Sequence, residues 1–142
     1  MPLGYLKPTE KIGQKLRTII EAEFNNVYLS SNYQELGNES IRIDVLSSDL
    51  KEQISATMEI RDYEFQITIY SRDNSKDHDL HLNNRIDRLV FWLMKHRTLS
   101  FNNLDPIAVD LVVDSVNYKE ETGDDDILAG SLSVTITKEN IF

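Results

Sequence analysis

Residues 54–71 read ISATMEIRDYEFQITIYS and carry the clearest strand pattern in the chain. Apolar and polar side chains alternate over residues 63–69, as in a strand with one buried face. Over residues 56–60 the apolar side chains follow the opposite parity. The change of parity at Arg61 and Asp62 predicts either a tight hairpin or a bulge there, and we favour the hairpin.

Further strands are predicted on both sides of this stretch. Residues 27–29 form a short apolar segment, and residues 41–45 alternate between apolar and polar. The polar residues 47–53 predict a connection rather than a strand.

Two alternating segments occupy the last third of the chain. Residues 107–118 slip in parity near residues 114–115, which predicts a bulge that turns Val116 and Tyr118 toward the core. Residues 128–137 then alternate to the end of the pattern.

Two glycines stand inside predicted elements. Gly130 lies within the last strand and predicts a bend or a close backbone approach. Gly13 lies within the first helix and is interpreted as a helix-packing position.

Two segments have the 3.6-residue period of amphipathic helices. Residues 9–24 carry one apolar stripe, with Thr9 as the N-cap and residues 25–26 as the stop. A second stripe runs from Leu82 to about residue 97. Its neighbours Phe91 and Trp92 fall mostly off the stripe, so this helix needs cover on more than one side, which a neighbouring subunit could supply. The sequence leaves Trp92 open between the core and a subunit interface, because aromatic residues are enriched in both.

The predicted order of elements is therefore α, β, β, β, β, α, β, β. Strands that bracket one helix, with a helix in front, predict an α+β fold: a mostly antiparallel sheet with two main helices packed on one face. At 142 residues, the chain is expected to form one domain over residues 1–142.

Composition limits the classes of function. The chain has no cysteine, which excludes disulfides, thiolate zinc sites and a cysteine nucleophile. Its formal charge of −9 is opposite to that of a nucleic-acid-binding groove. The first residues lack the apolar segment of a secretory signal, and the apolar runs are short, so we expect a soluble, cytosolic protein without membrane contact.

The candidate metal-binding and catalytic residues are few. His78 and His81, with Asp79, could share one helical turn, but a zinc site needs a third or fourth ligand at a recognisable spacing. We interpret them as a solvated helix start. Hydrolase and phosphate-binding motifs do not occur in the chain. We therefore expect no enzyme activity and no cofactor.

An acidic segment, KEETGDDD, occupies residues 119–126. It does not have the ligand spacing of an EF-hand calcium loop. We interpret it as a solvated hairpin tip, with the alternative that it lines a channel. Its acidic residues are Glu120, Glu121, Asp124, Asp125 and Asp126.

The order of these segments resembles the tail-terminator, or tail-completion, proteins of long-tailed bacteriophages. The resemblance is carried by the leading amphipathic helix and by three segments: DYEFQITIYS (residues 62–71), NRIDRLVFWL (84–93) and GSLSVTIT (130–137). It covers nearly the whole chain, but it rests on the order of elements because the family has few invariant residues.

The resemblance implies a structural virion protein that is assembled in the host cytoplasm. Such proteins form a homo-hexameric ring that caps the tail tube, ends tube polymerisation and joins the tail to a head-neck connector or stopper protein. Genomic DNA would pass through the bore without specific binding, which an acidic lumen favours. The acidic tip would line this channel, and Phe91 and Trp92 would contribute to the subunit interface.

Three other readings remain open from the residues alone. The chain could be a different neck or head-tail connector subunit. It could be a small ligand-binding or regulatory α+β module. It could also be an enzyme with an unfamiliar site, in which case His78, His81 and Asp79 would be the first residues to test.

Overall fold

The computed structural model describes residues 8–29, 39–72, 78–97, 109–122 and 127–141. The elements in chain order are α1 (Pro8–Glu21), β1 (Val27–Leu29), β2 (Glu39–Ser55), β3 (Met58–Ser71), α2 (His78–Lys95), β4 (Val109–Glu120) and β5 (Leu128–Ile141).

The five strands form one sheet in the order β1-β2-β3-β5-β4. All neighbours are antiparallel except β1 and β2, which run parallel. Helix α1 contacts β1 and β2, and α2 contacts β4 and β5. The predicted α+β fold, with both helices on one face of a mostly antiparallel sheet, is confirmed.

Helix α1 buries one stripe of side chains, as predicted. It ends at Glu21, three residues before the predicted end, and it already includes Thr9, the predicted N-cap. The side chains of Ile12, Leu16 and Ile20 are fully buried. After the helix, Asn26 adopts a positive φ of 58°, a conformation that asparagine tolerates better than most residues. The Asn26 side-chain amide donates to the carbonyl of Glu39 at 2.9 Å, which ties the turn to the start of β2.

The predicted hairpin at Arg61 and Asp62 is wrong. The turn lies five residues earlier, at residues 56–57, and β3 continues through Arg61 and Asp62 without interruption. The predicted connection at residues 47–53 is also wrong, because these residues belong to β2. This half of β2 faces solvent on both sides, so nothing imposes apolar alternation on it.

The last two strands follow the prediction more closely. The β4–β5 register shifts between Val113 and Ser115, which confirms the predicted bulge. Val116 packs against the core as expected. Tyr118 does not enter the core: its side chain is exposed, and its hydroxyl donates to Asp87 of α2.

The core lies between the helices and one face of the sheet. It contains alternate residues of the central strands, among them Phe65, Ile67 and Val134, which are fully buried. The two glycines singled out in the sequence, Gly13 and Gly130, both lie where a helix meets the sheet. A Cβ at Gly130 would lie 2.2 Å from Ile86 Cδ1, so the predicted close approach is confirmed. A Cβ at Gly13 would lie 3.3 Å from Leu29 Cδ2, which makes it a helix–sheet contact.

None of the helices in the described residues is long and apolar enough to cross a membrane.

Candidate interaction surfaces

The sheet face opposite the helices carries a row of carboxylates held by hydroxyl groups of β5. The hydroxyl residues occupy alternate positions of β5, between the core residues Leu132, Val134 and Ile136. The four donor–acceptor pairs are Ser131 with Glu120 (2.5 Å), Ser133 with Glu64 (3.1 Å), Thr135 with Asp114, and Thr137 with Asp62 (2.6 Å). We call these four carboxylates the acidic row.

The acidic row exists because β5 lies between β3 and β4 in the sheet. Successive hydroxyls of β5 therefore reach carboxylates of β4 and β3 in turn. Hydrogen bonds to ionised acceptors are stronger than neutral ones, so the hydroxyls orient these carboxylates on the sheet face. On the same face, Arg42 pairs with Asp44 at 2.8 Å, which balances the charge of that arginine locally.

The acidic tip adjoins this row at the end of β4. Glu120 belongs to both, and its carboxylate also accepts a hydrogen bond from the side-chain amide of Asn117 at 2.9 Å. Glu121 is exposed. Asp124, Asp125 and Asp126 lie outside the described residues. The described part of the tip therefore extends the acidic surface of the open sheet face.

The adjacent residues Phe91 and Trp92 have different environments. The Phe91 side chain is 69% exposed. The Trp92 ring packs against the core, and its indole N–H donates to the carbonyl of Ile19 at 2.7 Å. Neighbouring positions on a helix point about 100° apart, which explains the separation. Phe91 is thus the member of the pair that is available to a partner.

The histidines do not form a site within the described residues. His81 is exposed, and His96 places Nδ1 2.9 Å from the carbonyl oxygen of Trp92. The side chains of His78 and Asp79 lie outside the described residues. In the part of the chain that the structure describes, no group of three or more His, Asp or Glu side chains is placed to hold a metal ion.

A shallow pocket lies where α2 meets β4 and β5. Its volume is about 210 Å³, and its lining residues are Leu82, Asn83, Tyr118, Lys119, Leu128 and Ala129. Ligand pockets usually enclose roughly 300–1,000 Å³. The hydrogen bond from the Tyr118 hydroxyl to Asp87 raises the pKa of Tyr118 above its ordinary value. The pocket is therefore smaller than the usual binding site of a small-molecule substrate.

A polar cluster occupies the helix-side face of the sheet at the far end of β3 and β5. Four of its members are cross-strand neighbours, since Arg61 pairs with Lys138 and Glu59 pairs with Asn140. The fifth member is Tyr63 of β3. The Asn140 amide donates to the Tyr63 hydroxyl at 2.6 Å, and Lys138 Nζ donates to Asn140 Oδ1 at 2.9 Å. Except for Arg61, these side chains are buried.

Sequence reasoning missed this cluster, although a signal was present. The parity of Tyr63 continues into Arg61 and Glu59, and the parity of Ile136 continues into Lys138 and Asn140. A search for alternating apolar residues ends at the first polar residue of a strand face. It therefore does not find polar residues that continue the buried face.

The carboxylate of Glu59 is bound by the Arg61 guanidinium, with an Nε–Oε1 distance of 2.9 Å. This hydrogen bond lowers the pKa of Glu59 below its usual 4.5, although burial acts in the opposite direction. Burial raises the pKa of Tyr63. The cluster therefore favours an ionised Glu59 and a neutral Tyr63.

We expect Glu59→Gln to lower stability at neutral pH and to matter less in acid. A carboxyl group whose folded-state pKa is depressed stabilises the fold fully above its unfolded pKa, and this contribution is lost as the pH falls through the folded pKa. The stability difference from the unsubstituted protein should therefore shrink below about pH 4.5. Urea unfolding at about pH 7 and about pH 3 measures this difference.

Glu52→Gln is the matched control, because it removes the same charge from an exposed position of β2. Its effect on stability should stay small at both pH values. A Glu59→Gln difference that is constant from neutral to acidic pH would contradict the role of the ionised carboxylate.

Comparison with protein-family models and with curated proteins finds no match to this chain.

Proposed function

We propose that this protein is a tail-terminator subunit of a long-tailed bacteriophage, which forms a hexameric ring on the end of the tail tube. The observation that carries the proposal is the two-sided sheet: two helices cover one face, and the other presents the acidic row to solvent. In this proposal the ring ends tube polymerisation, binds the tube protein and offers its other side to a head-neck connector. The protein is then a structural component of the virion and not an enzyme.

The acidic row and the acidic tip are proposed to line the bore. DNA leaving the head must slide through the ring, and like charges repel its phosphates. Ordered carboxylates on a rigid sheet give this surface a constant negative potential, whereas a surface rich in Lys or Arg would bind phosphate. Glu120 and Glu121 continue the acidic surface at one end, and Asp124, Asp125 and Asp126 are proposed to do so as well.

Phe91 is proposed to lie at the contact between neighbouring subunits. A ring closes when each subunit offers two different faces that meet under rotation. Aromatic side chains are enriched at the centres of such contacts. The 69% exposure of Phe91 leaves a large apolar side chain available for this purpose.

The purified protein should form a ring of about six copies, measured by light scattering and seen by electron microscopy. Phe91→Ala should fold normally and weaken ring assembly by about fivefold or more, because truncating a central aromatic removes more than about 1 kcal/mol of binding energy. Arg17→Ala is the control, since Arg17 is a charged α1 residue whose ion pair with Glu21 stays within its own helix.

Two results would contradict this proposal. One is a stable monomer at every concentration, with no ring on tail tubes. The other is a ring reconstruction in which the acidic row and the tip face the outer rim. The second result would be consistent with a ring, but it would contradict the proposal that the acidic row and the tip line its bore.

A further inference from the structure

The helix layer, formed by α1 and α2, carries a positive charge in a chain that is acidic overall. The two helices contain six basic and four acidic residues. The five strands contain five basic and eleven acidic residues. The formal charge of −9 is therefore distributed unevenly, with a positive helix layer on a negative sheet.

Three lysines of the helix layer take part in none of the ion pairs that the described residues form. They are Lys11, Lys15 and Lys95, and we call them the lysine patch. By contrast, the carboxylate of Glu21 is paired with Arg17. The carboxylate of Asp87 accepts a hydrogen bond from the Tyr118 hydroxyl. The charge of the lysine patch is therefore not neutralised within the subunit.

The contacts between α1 and α2 fix how the two helices run. The indole N–H of Trp92 donates to the carbonyl of Ile19 at 2.7 Å. Arg88, one turn earlier in α2, binds the carboxylate of Glu23, which lies four residues later in the chain than Ile19. The helices therefore run antiparallel. Lys95 reaches over this junction, because its Nζ lies 5.8 Å from the centroid of the Trp92 ring.

The lysine patch lies beside Phe91 on the solvent side of the helix layer. One turn beyond the Trp92 contact, Lys95 of α2 is level with Lys15 of α1, because the helices are antiparallel. Lys11 precedes Lys15 by four residues and lies on the same flank of α1. Lys95 follows Phe91 by four residues, so these two side chains are neighbours on the surface of α2. An exposed aromatic ring with unpaired cations beside it is the result.

We propose that the lysine patch binds carboxylates of a neighbouring copy, on a face of that copy outside its helix layer. The assignment depends on the proposed ring and extends its contact from Phe91 to the charges around it. Central aromatic side chains with a polar rim are the usual anatomy of a protein–protein contact. The rim charges steer the encounter and decide which faces meet.

Charge complementarity identifies a second copy, in a particular orientation, as the occupant. A two-fold contact through the helix layer would bring the lysine patches of both copies together, and like charges across a contact are unfavourable. The strands of a second copy carry the opposite charge. A contact between two different faces is heterologous, and such contacts close into rings when the rotation allows it.

Nucleic acid is a poorer occupant of the lysine patch. Binding of phosphates requires many cations, because each neutralised phosphate releases a counterion. The patch offers three lysines, and the acidic residues of the sheet repel DNA before it arrives. An acidic protein face needs only a few carboxylates at short range.

Reversing two of these charges tests the contact. The double variant Lys15→Glu with Lys95→Glu should fold normally and weaken ring assembly by about fivefold or more, because each substitution replaces an attraction with a repulsion. The unsubstituted ring should also weaken when NaCl is raised from about 0.1 M to about 1 M, which shortens the Debye length from about 10 Å to about 3 Å. Light scattering measures both effects, and circular dichroism checks the fold.

Lys51→Glu with Lys119→Glu is the matched control. It makes the same change in net charge at two exposed lysines of the strands, and it should leave ring assembly unchanged. Rings of the Lys15→Glu and Lys95→Glu variant as stable as those of the control would overturn the proposal and leave the proposed ring intact. Binding of a short DNA duplex that only this variant loses would overturn it in favour of nucleic acid. Absence of any ring from the unsubstituted protein would contradict the proposed function and this contact together.

Mixing distinguishes a heterologous contact from a two-fold one. The variant with Lys15→Glu and Lys95→Glu keeps its acidic face, so it still binds the lysine patch of an unsubstituted subunit and then blocks the next addition. In an equimolar mixture, we expect fluorescently labelled variant to sediment with the unsubstituted protein and the number of closed rings to fall. A label that stays monomeric while the rings are undiminished would overturn the proposal.

Discussion

Phe65→Ala should destabilise the fold by about 3–5 kcal/mol, as expected for removing a fully buried aromatic ring. Phe65 has no exposed surface. It lies on β3 between Val45 of β2 and Val134 of β5. On the helix side, α1 approaches closely, since a Cβ at Gly13 would lie 3.8 Å from Phe65 Cε1. The cavity is therefore bounded by a helix and three strands that cannot collapse into it freely.

Urea unfolding of both proteins measures this loss. Phe91→Ala is the matched control, because it removes the same atoms from a side chain that is 69% exposed. At dilutions where the chain is monomeric, the control should change stability by no more than about 0.5 kcal/mol. A loss below about 1 kcal/mol for Phe65→Ala would show that the centre of the sheet is not packed as described.

Gly130→Ala should destabilise the fold by about 1–3 kcal/mol, although alanine suits a strand better than glycine does. The added methyl group would lie 2.2 Å from Ile86 Cδ1 and 3.0 Å from the backbone oxygen of Asn117. The Ile86 side chain can change its rotamer at some cost, but the Asn117 carbonyl belongs to β4 and has little freedom to move. A new rotamer of Ile86 or a shift of α2 relieves the first contact, but neither relieves the contact with the Asn117 carbonyl.

A second substitution separates overpacking from other causes. Ile86→Val removes the Cδ1 atom that the new methyl group meets. By itself it should cost about 0.5–1.5 kcal/mol, yet in the Gly130→Ala background it should recover part of the loss. Contacting residues give such non-additive free energies. Strictly additive effects of the two substitutions would contradict the contact between α2 and Gly130.

Gly13→Ala is the matched control for Gly130→Ala, because Gly13 also has a close neighbour. Its new Cβ would lie 3.3 Å from Leu29 Cδ2, the end of a flexible side chain. Alanine is favoured over glycine inside a helix by about 1 kcal/mol. Thermal unfolding should therefore show this variant to be at least as stable as the unsubstituted protein, in contrast to Gly130→Ala.

Local pattern predicted most of the elements. Both helices, the short strand β1, the bulge after Val113 and the last strand followed from periodicity and parity. These features depend on which side of an element meets the core, and the order of apolar residues reports that directly. The close approach at Gly130 was also predictable, since an interior glycine costs stability unless the space is needed.

The extent of β2 was not predictable from the chain itself. Its distal half buries neither face, so it has no periodicity, and it is a strand because β3 pairs with it. The change of apolar parity at Arg61 and Asp62 imitates a turn for a related reason. At that point the buried face of β3 becomes polar, although the strand itself continues.

By itself, the sequence determined the fold class, the absence of cysteine chemistry and the overall negative charge. Only the tertiary structure decided which charges stand together, because Asp62 and Thr137, or Glu64 and Ser133, are about seventy residues apart in the chain and adjacent in the sheet. The tertiary structure also decides the different environments of Phe91 and Trp92, which are adjacent in the sequence. Trp92 donates a hydrogen bond to Ile19 of α1, whereas Phe91 is exposed to solvent. Periodicity records which face of an element is buried, whereas strand order decides what lies beside it.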